Sequence, residues 1–559
     1  MFKIEKGKKQ YFLYCFLLLI LLIPNFITAF YASDLQDSFV LKLSYLLFSI
    51  SIWLLPLALI KPKIYFSICS IFLLIAPLEI SFVKSVGQPI SDGFIESLIY
   101  TNYREATEQL PGHLIEIVTC IFIIIIYFLI LRKAPNIRIP KRGKLIIVSI
   151  FLLANVAIFA KIYKMTFAMK FTPIGALQFA LEFTRTKYIK TYPANLFLNT
   201  FTACESISES KEFENKLQDF SFNAKIDEHK KESKQIFVLV LGETARQENF
   251  GLYGYHRPTT PKLSKEKNLV AFDNVYSAAT LTIQSIPQVI TRANPDHIDL
   301  QYKEKNIIDA FKEAGFYTAW IDNQNMLIPI TKRINNIVDF HYNTKTQNVQ
   351  DMEAIPIIKQ VLNNTDNKKI LIVIHSMGSH FRYSNRYPDT FDIYKPSISK
   401  TGYDNINIKN KEALVNSYDN SIVYTDHFLA SIISLLNDQK SAESCMLYLS
   451  DHGENLYDDG KKLIFHGSIQ PNIHEYHIPY LVWTSDSYNK ENPNIVENLS
   501  KNKSKKASST STFSTFLNMA NIRYDNSDSE QINNLASEQY NEPKNRKILT
   551  GSGKVIIID

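Results

Sequence analysis

Cysteine is scarce: five residues in 559, at Cys15, Cys69, Cys120, Cys204 and Cys445, with no Cys-x-x-Cys pair. That excludes a thiolate zinc site and a disulfide framework, and leaves Cys204–Cys445 as the single bridge the soluble half has the residues for. Clustered positive charge is missing too. The formal net charge is +7 without a Lys/Arg block of the kind that grips nucleic acid, so nucleic acid is not an expected partner. Charge is also absent from long stretches of the first 165 or so residues, which Leu, Ile, Phe and Tyr dominate, whereas from about 205 the composition is that of an ordinary soluble protein. Two or three domains are expected at this length, divided as 1–164, 165–233 and 234–559.

A helix needs about 20 apolar residues to cross roughly 30 Å of hydrocarbon. Five segments approach this, at 11–30, 43–60, 64–82, 114–131 and 145–160, which predicts an N-terminal five-helix transmembrane bundle. A cleaved signal peptide ending near Ala32 is the alternative for the first, and the four spans that follow at once argue against it. Lys3, Lys6, Lys8 and Lys9 precede the first span, and Lys61 and Lys63 join the second to the third. Arg132, Lys133, Arg138, Lys141, Arg142 and Lys144 fill the fourth connection. The intervening loops carry Asp34 and Asp37, then Asp92, Glu96, Glu105 and Glu108. Positive charge stays inside, so the N-terminus is expected in the cytoplasm and everything after the fifth span outside, which in a bacterium is the periplasm. Glu79 lies within the third span, where a carboxylate is costly. Residues 165–205 mix aromatic and basic side chains, fitting either an interfacial helix or a packed linker; residues 205–233 read as an exposed tether.

From residue 235 short β-rich runs at 236–241, 317–321, 370–374, 446–449 and 480–483 alternate with helical stretches at 306–314 and 411–436. Continuous apolar strands between helices predict an α/β domain with a mostly parallel sheet covered on both faces. Such sheets bind ligands beyond the carboxyl ends of their strands. Those positions here hold Gly242-Glu243-Thr244-Ala245-Arg246, His375-Ser376-Met377-Gly378-Ser379-His380 and Ser450-Asp451-His452-Gly453-Glu454. Oxygen and imidazole ligands without thiolate suit Zn²⁺ at a catalytic site, with Mn²⁺ as the alternative. One Asp-His pair after a strand is a common turn; three such segments in one domain are not. Thr280 and Thr282 precede a further helical run, where a hydroxyl meets the dipole that favours phosphate, or else merely caps the helix.

At residues 242–246, Thr282 and 450–454 the chain resembles the bacterial phosphoethanolamine transferases of the alkaline phosphatase/sulfatase superfamily. The Tyr253-Gly254-Tyr255-x-Arg257-x-Thr259-Thr260-Pro261 run, Gly378-Ser379-His380 and Arg386-Tyr387-Pro388 look like signatures of the same family. The resemblance implies that Glu243, Asp451 and His452 ligate a catalytic zinc together with Thr282, the nucleophile, with Thr280 as the fallback register. It implies that His380 and His466 hold a second metal or the substrate, with general base as an equal alternative. Asn102 and Glu105 would contact the lipid donor. The implied reaction moves phosphoethanolamine from phosphatidylethanolamine through a threonine intermediate, releasing diacylglycerol, onto lipid A, core oligosaccharide or another envelope glycan. Two departures stand out. Positions where colistin-resistance members carry a cysteine pair beside the nucleophile are Ala278 and Gln288, which weakens lipid A as the acceptor. A substrate-contacting lysine is not evident around Asp322-Asn323-Gln324-Asn325.

Three rivals deserve weight. A phosphoglycerol transferase of the lipoteichoic acid synthase kind also combines five spans with a threonine–metal domain, but the Gly-Glu-Thr-Ala-Arg run speaks against it. A sulfatase lacks its Cys-x-Pro-x-Arg site here. A non-catalytic envelope scaffold has no need of a complete ligand set.

Overall fold

Along Gln235–Gly242 (β1) every residue is buried, and successive side chains enter opposite cores. Phe237, Leu239 and Leu241 join one cluster with Phe311, Trp320 and Phe516. Ile236, Val238 and Val240 join the other with Ile358, Tyr418 and Phe428. A strand covered on both faces needs apolar side chains at both parities, which is what the run at 236–241 supplies. The structure, a computed structural model, describes residues 6–32, 39–101, 114–168, 173–230, 232–324, 329–344, 350–363, 367–398, 408–458, 460 and 463–559.

The sheet contains β1, Leu269–Phe272 (β2), Tyr317–Asp322 (β3), Phe340–Asn343 (β4), Lys369–His375 (β5), Glu443–Ser450 (β6) and Tyr480–Thr484 (β7), in the order β2-β7-β6-β1-β5-β3-β4. β6, β1, β5, β3 and β4 run parallel, whereas β7 is antiparallel to both β6 and β2. The sheet is therefore mixed. Every run expected as a strand lies in one, and the helix Lys411–Asn437 covers the expected 411–436 stretch. The helix Ile307–Glu313 opens on a capping box between Asn306 and Asp309, the device that fixes a helix start.

The chain divides into two compact units, and this sheet belongs to the one built on Glu205–Asp559. Within the 205–233 stretch, residues 217–230 are packed against the sheet unit rather than forming a free tether. Lys225–Ile226 pairs with Ile522–Arg523, Phe222 and Ala224 are buried, and Lys230 forms a buried ion pair with Glu443 at 2.8 Å. Its apolar side chains outweigh the Ser/Glu/Lys content that suggested exposure. All five cysteines are free thiols.

The other unit is helical. Phe39–Ala58 and Lys141–Met165 are long and apolar enough to cross a membrane, and up to four spans result if two bent pairs each count as one, among the described residues. Those pairs are Tyr11–Leu21 with Ile23–Tyr31, bent by 45°, and Pro62–Cys69 with Phe72–Val86, bent by 51°. Pro24 sits in the first turn after the first break, where it cannot extend the preceding helix. Leu145, Ile146, Leu153 and Val156 are exposed, an apolar surface of the kind that faces lipid. Glu79 is fully buried, and both of its carboxylate oxygens accept from Asn195 Nδ2 at 3.0 Å. The region expected to hold an interfacial helix or linker contains the helices Pro173–Ile189 and Ala194–Lys216.

Candidate metal centre and nucleophile

β1 and β6 are neighbours in register, with Gly242 opposite Ser450. The next residue of each, Glu243 and Asp451, therefore leaves the sheet side by side, and His452 follows. Their ligand atoms lie within 4.8 Å of one another, and all three residues are buried. Thr282 arrives from a separate segment as the first residue of the helix Thr282–Ile290. Its Oγ1 is 3.1 Å from His452 Nε2 and 3.3 Å from Glu243 Oε2. His452 Nε2 lies 3.2 Å from Asp451 Oδ2 and 3.6 Å from Glu243 Oε1.

These separations suit a cation. A tetrahedral shell with bonds of ~2.0–2.1 Å has edges of about 3.3 Å. Asp451 Oδ2 is buried without a hydrogen-bond partner, and such an oxygen is unfavourable unless a positive charge meets it. His452 Nδ1 donates to the carbonyl of Gly453 at 2.9 Å, so Nε2 turns its lone pair toward the cluster. The donor set, two carboxylates, one imidazole and one hydroxyl, fits Zn²⁺.

A second layer holds these groups. Gln324 Nε2 donates to Glu243 Oε2 at 2.9 Å and to the Ser376 carbonyl at 2.8 Å. Ser285 Oγ donates to the Asp451 carbonyl at 2.6 Å, and Ser277 Oγ donates to the same oxygen. The Ser450 hydroxyl accepts from Ala245 N at 2.8 Å and donates to the His452 carbonyl at 2.9 Å.

The two further histidines differ. The His466 ring lies 3.9 Å from that of His452, and its Nδ1 is 2.7 Å from Glu454 Oε2. Tyr383 OH donates to the other Glu454 oxygen at 2.6 Å. Burial and the neighbouring His452 hold His466 well below its ordinary pKa. Burial pushes the Glu454 carboxyl up to about 8. His380 keeps its Nδ1 on the Phe381 carbonyl at 2.7 Å. Burial, offset by Glu243 and reinforced by Arg386, pushes it down to about 4. Both imidazoles are therefore neutral at neutral pH.

Of the two threonines weighed from the sequence, Thr282 is the one in contact with Glu243 and His452. Thr280 is fully buried, with an unpartnered Oγ1. Neither caps the helix, because Leu281 occupies the N-cap position without a side-chain bond. Asn102 and Glu105 lie outside the described residues. Gln324 was quoted from the sequence only as part of a run without a lysine, although it follows the carboxyl end of β3 and the same strand-end rule points to it. Glu454 was quoted within a motif without a role, and only its contacts supply one.

Comparisons with known proteins find relatives of the chain. A sulfatase family model matches residues 235–522. The phosphoethanolamine transferase EptC of Escherichia coli strain K12 is 27% identical over 504 residues, covering 86% of this chain and 84% of its own. The crystal structure of the C-terminal periplasmic domain of Escherichia coli EptC in complex with Zn has 28% identity and a TM-score of 0.54, covering 60% of this chain and 95% of that one. The integral membrane lipooligosaccharide phosphoethanolamine transferase A of Neisseria meningitidis shares the fold over 95% of this chain and 96% of its own, with a TM-score of 0.73 at 20% identity.

Proposed function

Because this chain belongs to the sulfatase family, we propose that it is a membrane-anchored phosphoethanolamine transferase that takes its group from phosphatidylethanolamine and passes it to an envelope glycolipid, lipid A or core oligosaccharide. The observation that carries the reading is Thr282 Oγ1, held 3.1 Å from His452 Nε2 and 3.3 Å from Glu243 Oε2 at the mouth of a cluster with an unpartnered carboxylate oxygen. In this reading Glu243, Asp451, His452 and Thr282 hold a zinc ion. When bound, it lowers the pKa of a coordinated hydroxyl and offsets charge on phosphoryl oxygens.

The chain's own residues do the rest. Thr282 Oγ forms a bond to phosphorus while the bond from phosphorus to the glycerol oxygen breaks, and diacylglycerol leaves with a proton. Position at a helix N-terminus suits the phosphoryl group. In the second half, an acceptor oxygen bonds to phosphorus as the Thr282 Oγ–phosphorus bond breaks. When Glu454 is ionised, His466 Nδ1 donates to it, which leaves Nε2 to receive the acceptor's proton; His380 is the alternative base. The helical unit supplies the anchor, with Leu114–Lys133 read as one more crossing, fourth in chain order, beside the two helices and two bent pairs. Alternating Lys/Arg-rich and acidic connections support a cytoplasmic N-terminus and a periplasmic catalytic domain.

The test is a donor assay with the full-length protein in phosphatidylethanolamine vesicles. Thr282→Ala is expected to lose at least about a thousandfold in diacylglycerol release with an unchanged melting temperature, while Thr282→Ser keeps part of the activity. Transfer that survives in Thr282→Ala refutes the nucleophile. Consumption of labelled phosphatidylglycerol in preference to phosphatidylethanolamine refutes the substrate class.

A further inference from the structure

Thr244 follows directly after Glu243 and takes a backbone conformation that its side chain disfavours. Its φ is +58°, in the left-handed region that glycine or asparagine enters readily and a β-branched residue rarely does. Such a conformation persists only where the surroundings over-determine it. They do so here on three sides. Thr244 N donates to Asp451 Oδ1 at 3.0 Å. Its carbonyl accepts from Tyr418 OH at 2.7 Å, and the same phenol oxygen accepts from Arg246 N at 2.9 Å. Its hydroxyl donates to Glu243 Oε1 at 2.5 Å. The residue is 1% exposed, so none of these bonds competes with solvent.

One residue thus grips two carboxylates through two different atoms. The left-handed turn aims the amide at Asp451, and the short hydroxyl reaches back to Glu243. Glycine would adopt the turn without strain but offers nothing to Glu243. Valine keeps the shape and the strain but has no donor. The threonine hydroxyl and amide make both contacts at once, which gives the disfavoured backbone a reason.

We propose that Thr244 is a positioning residue that sets Glu243 and Asp451 at ligand spacing, so that the cradle is organised for a divalent cation before the cation enters. The inference builds on the proposed metal centre, yet it concerns cation binding and does not depend on which lipid is the donor. Outer groups that orient metal ligands change affinity by about 10- to 100-fold when removed, and Thr244 touches two ligands.

The experiment compares Thr244→Ser, Thr244→Val and Thr244→Gly in the purified full-length protein. Zinc affinity is read by chelator competition and folding by thermal unfolding of the metal-free protein. Ser is expected to bind zinc within about threefold of the native chain. Val and Gly should each lose about tenfold or more, with Gly melting no lower than the native chain because the strain is relieved. A purely structural threonine predicts the reverse for Gly, with affinity following stability. Native-like zinc binding in Val and Gly overturns the proposal, as does a Ser variant as weak as Val, or a native chain that retains no zinc. A native chain whose zinc affinity depends on Thr244 but which releases no diacylglycerol leaves the inference standing and removes the transferase reading.

Discussion

Gly378 offers a sharp test of how rigidly the centre is built. Its φ is +48°, and a Cβ placed on it would stand 2.6 Å from the Glu243 carbonyl oxygen, 2.9 Å from Glu243 N and 3.2 Å from Glu243 Cβ. The first contact is 0.8 Å short of the 3.4 Å at which ordinary contact begins. Backbone, not a flexible side-chain tip, is what it strikes. The glycine cannot easily retreat, because Met377 N and Gly378 N both donate to the buried Asp351 carboxylate at 2.8 and 2.9 Å. Ser379 N also donates to the Glu243 carbonyl at 2.9 Å. Gly378→Ala must therefore push Glu243 by several tenths of an ångström, whereas metal sites tolerate only about 0.2 Å in ligand distance. The left-handed alanine itself costs about 1–2 kcal/mol. Gly315 supplies the control: its φ is +86° and nothing lies within 4 Å of its Cβ position. Gly315→Ala carries the backbone cost without a collision. Chelator competition is expected to show at least a tenfold weaker zinc affinity in Gly378→Ala and native affinity in Gly315→Ala, with the larger loss in melting temperature in Gly378→Ala. Equal affinities in the two variants refute the argument that contact with Glu243 matters.

Two further outcomes follow from other parts of the catalytic unit. Burial would raise the Glu248 carboxyl, but His474 and His477 beside it pull it down from 4.5 to about 2. Its stabilising contribution is thus complete above pH 4.5 and fades as pH falls toward 2. The stability difference between the native chain and Glu248→Gln should shrink as pH falls from about 4.5 toward 2; a difference independent of pH over that range refutes the pairing. A Cβ on Gly551 would stand 1.8 Å from the Gly467 carbonyl oxygen, and the adjacent Leu549 exchanges backbone bonds with Ala278 and Thr280. Gly551→Ala should cost roughly 1–3 kcal/mol and slow transfer by displacing the loops of His466 and Thr282. Full activity in this variant shows that the C-terminal hairpin, Lys547–Leu549 paired with Val555–Ile557, does not support the site.

Much of the centre was legible because the strand-end rule is local. Glu243, Asp451 and His380 each follow an apolar run, and runs of that length between helices have few alternatives to parallel strands. The antiparallel placement of β7 was not legible. Its residues read like those of the parallel strands, and the direction of a short buried strand depends on the connections around it. The tether at 205–233 misled for a related reason: its composition is polar on average, while one aromatic position, Phe222, packs on partners some 300 residues away, Phe513 and Tyr524.

Residue chemistry alone determined which groups are available to a metal and a phosphate, and where charge changes sign along the apolar segments. Side-chain identity is a property of the sequence, and both inferences need nothing else. Tertiary structure alone decided that Thr282 and not Thr280 meets Glu243 and His452, that Gln324 and Thr244 hold Glu243, and that Glu454 holds His466. Those choices depend on separations of a few tenths of an ångström between segments far apart in the chain, which only the packed sheet and its loops define.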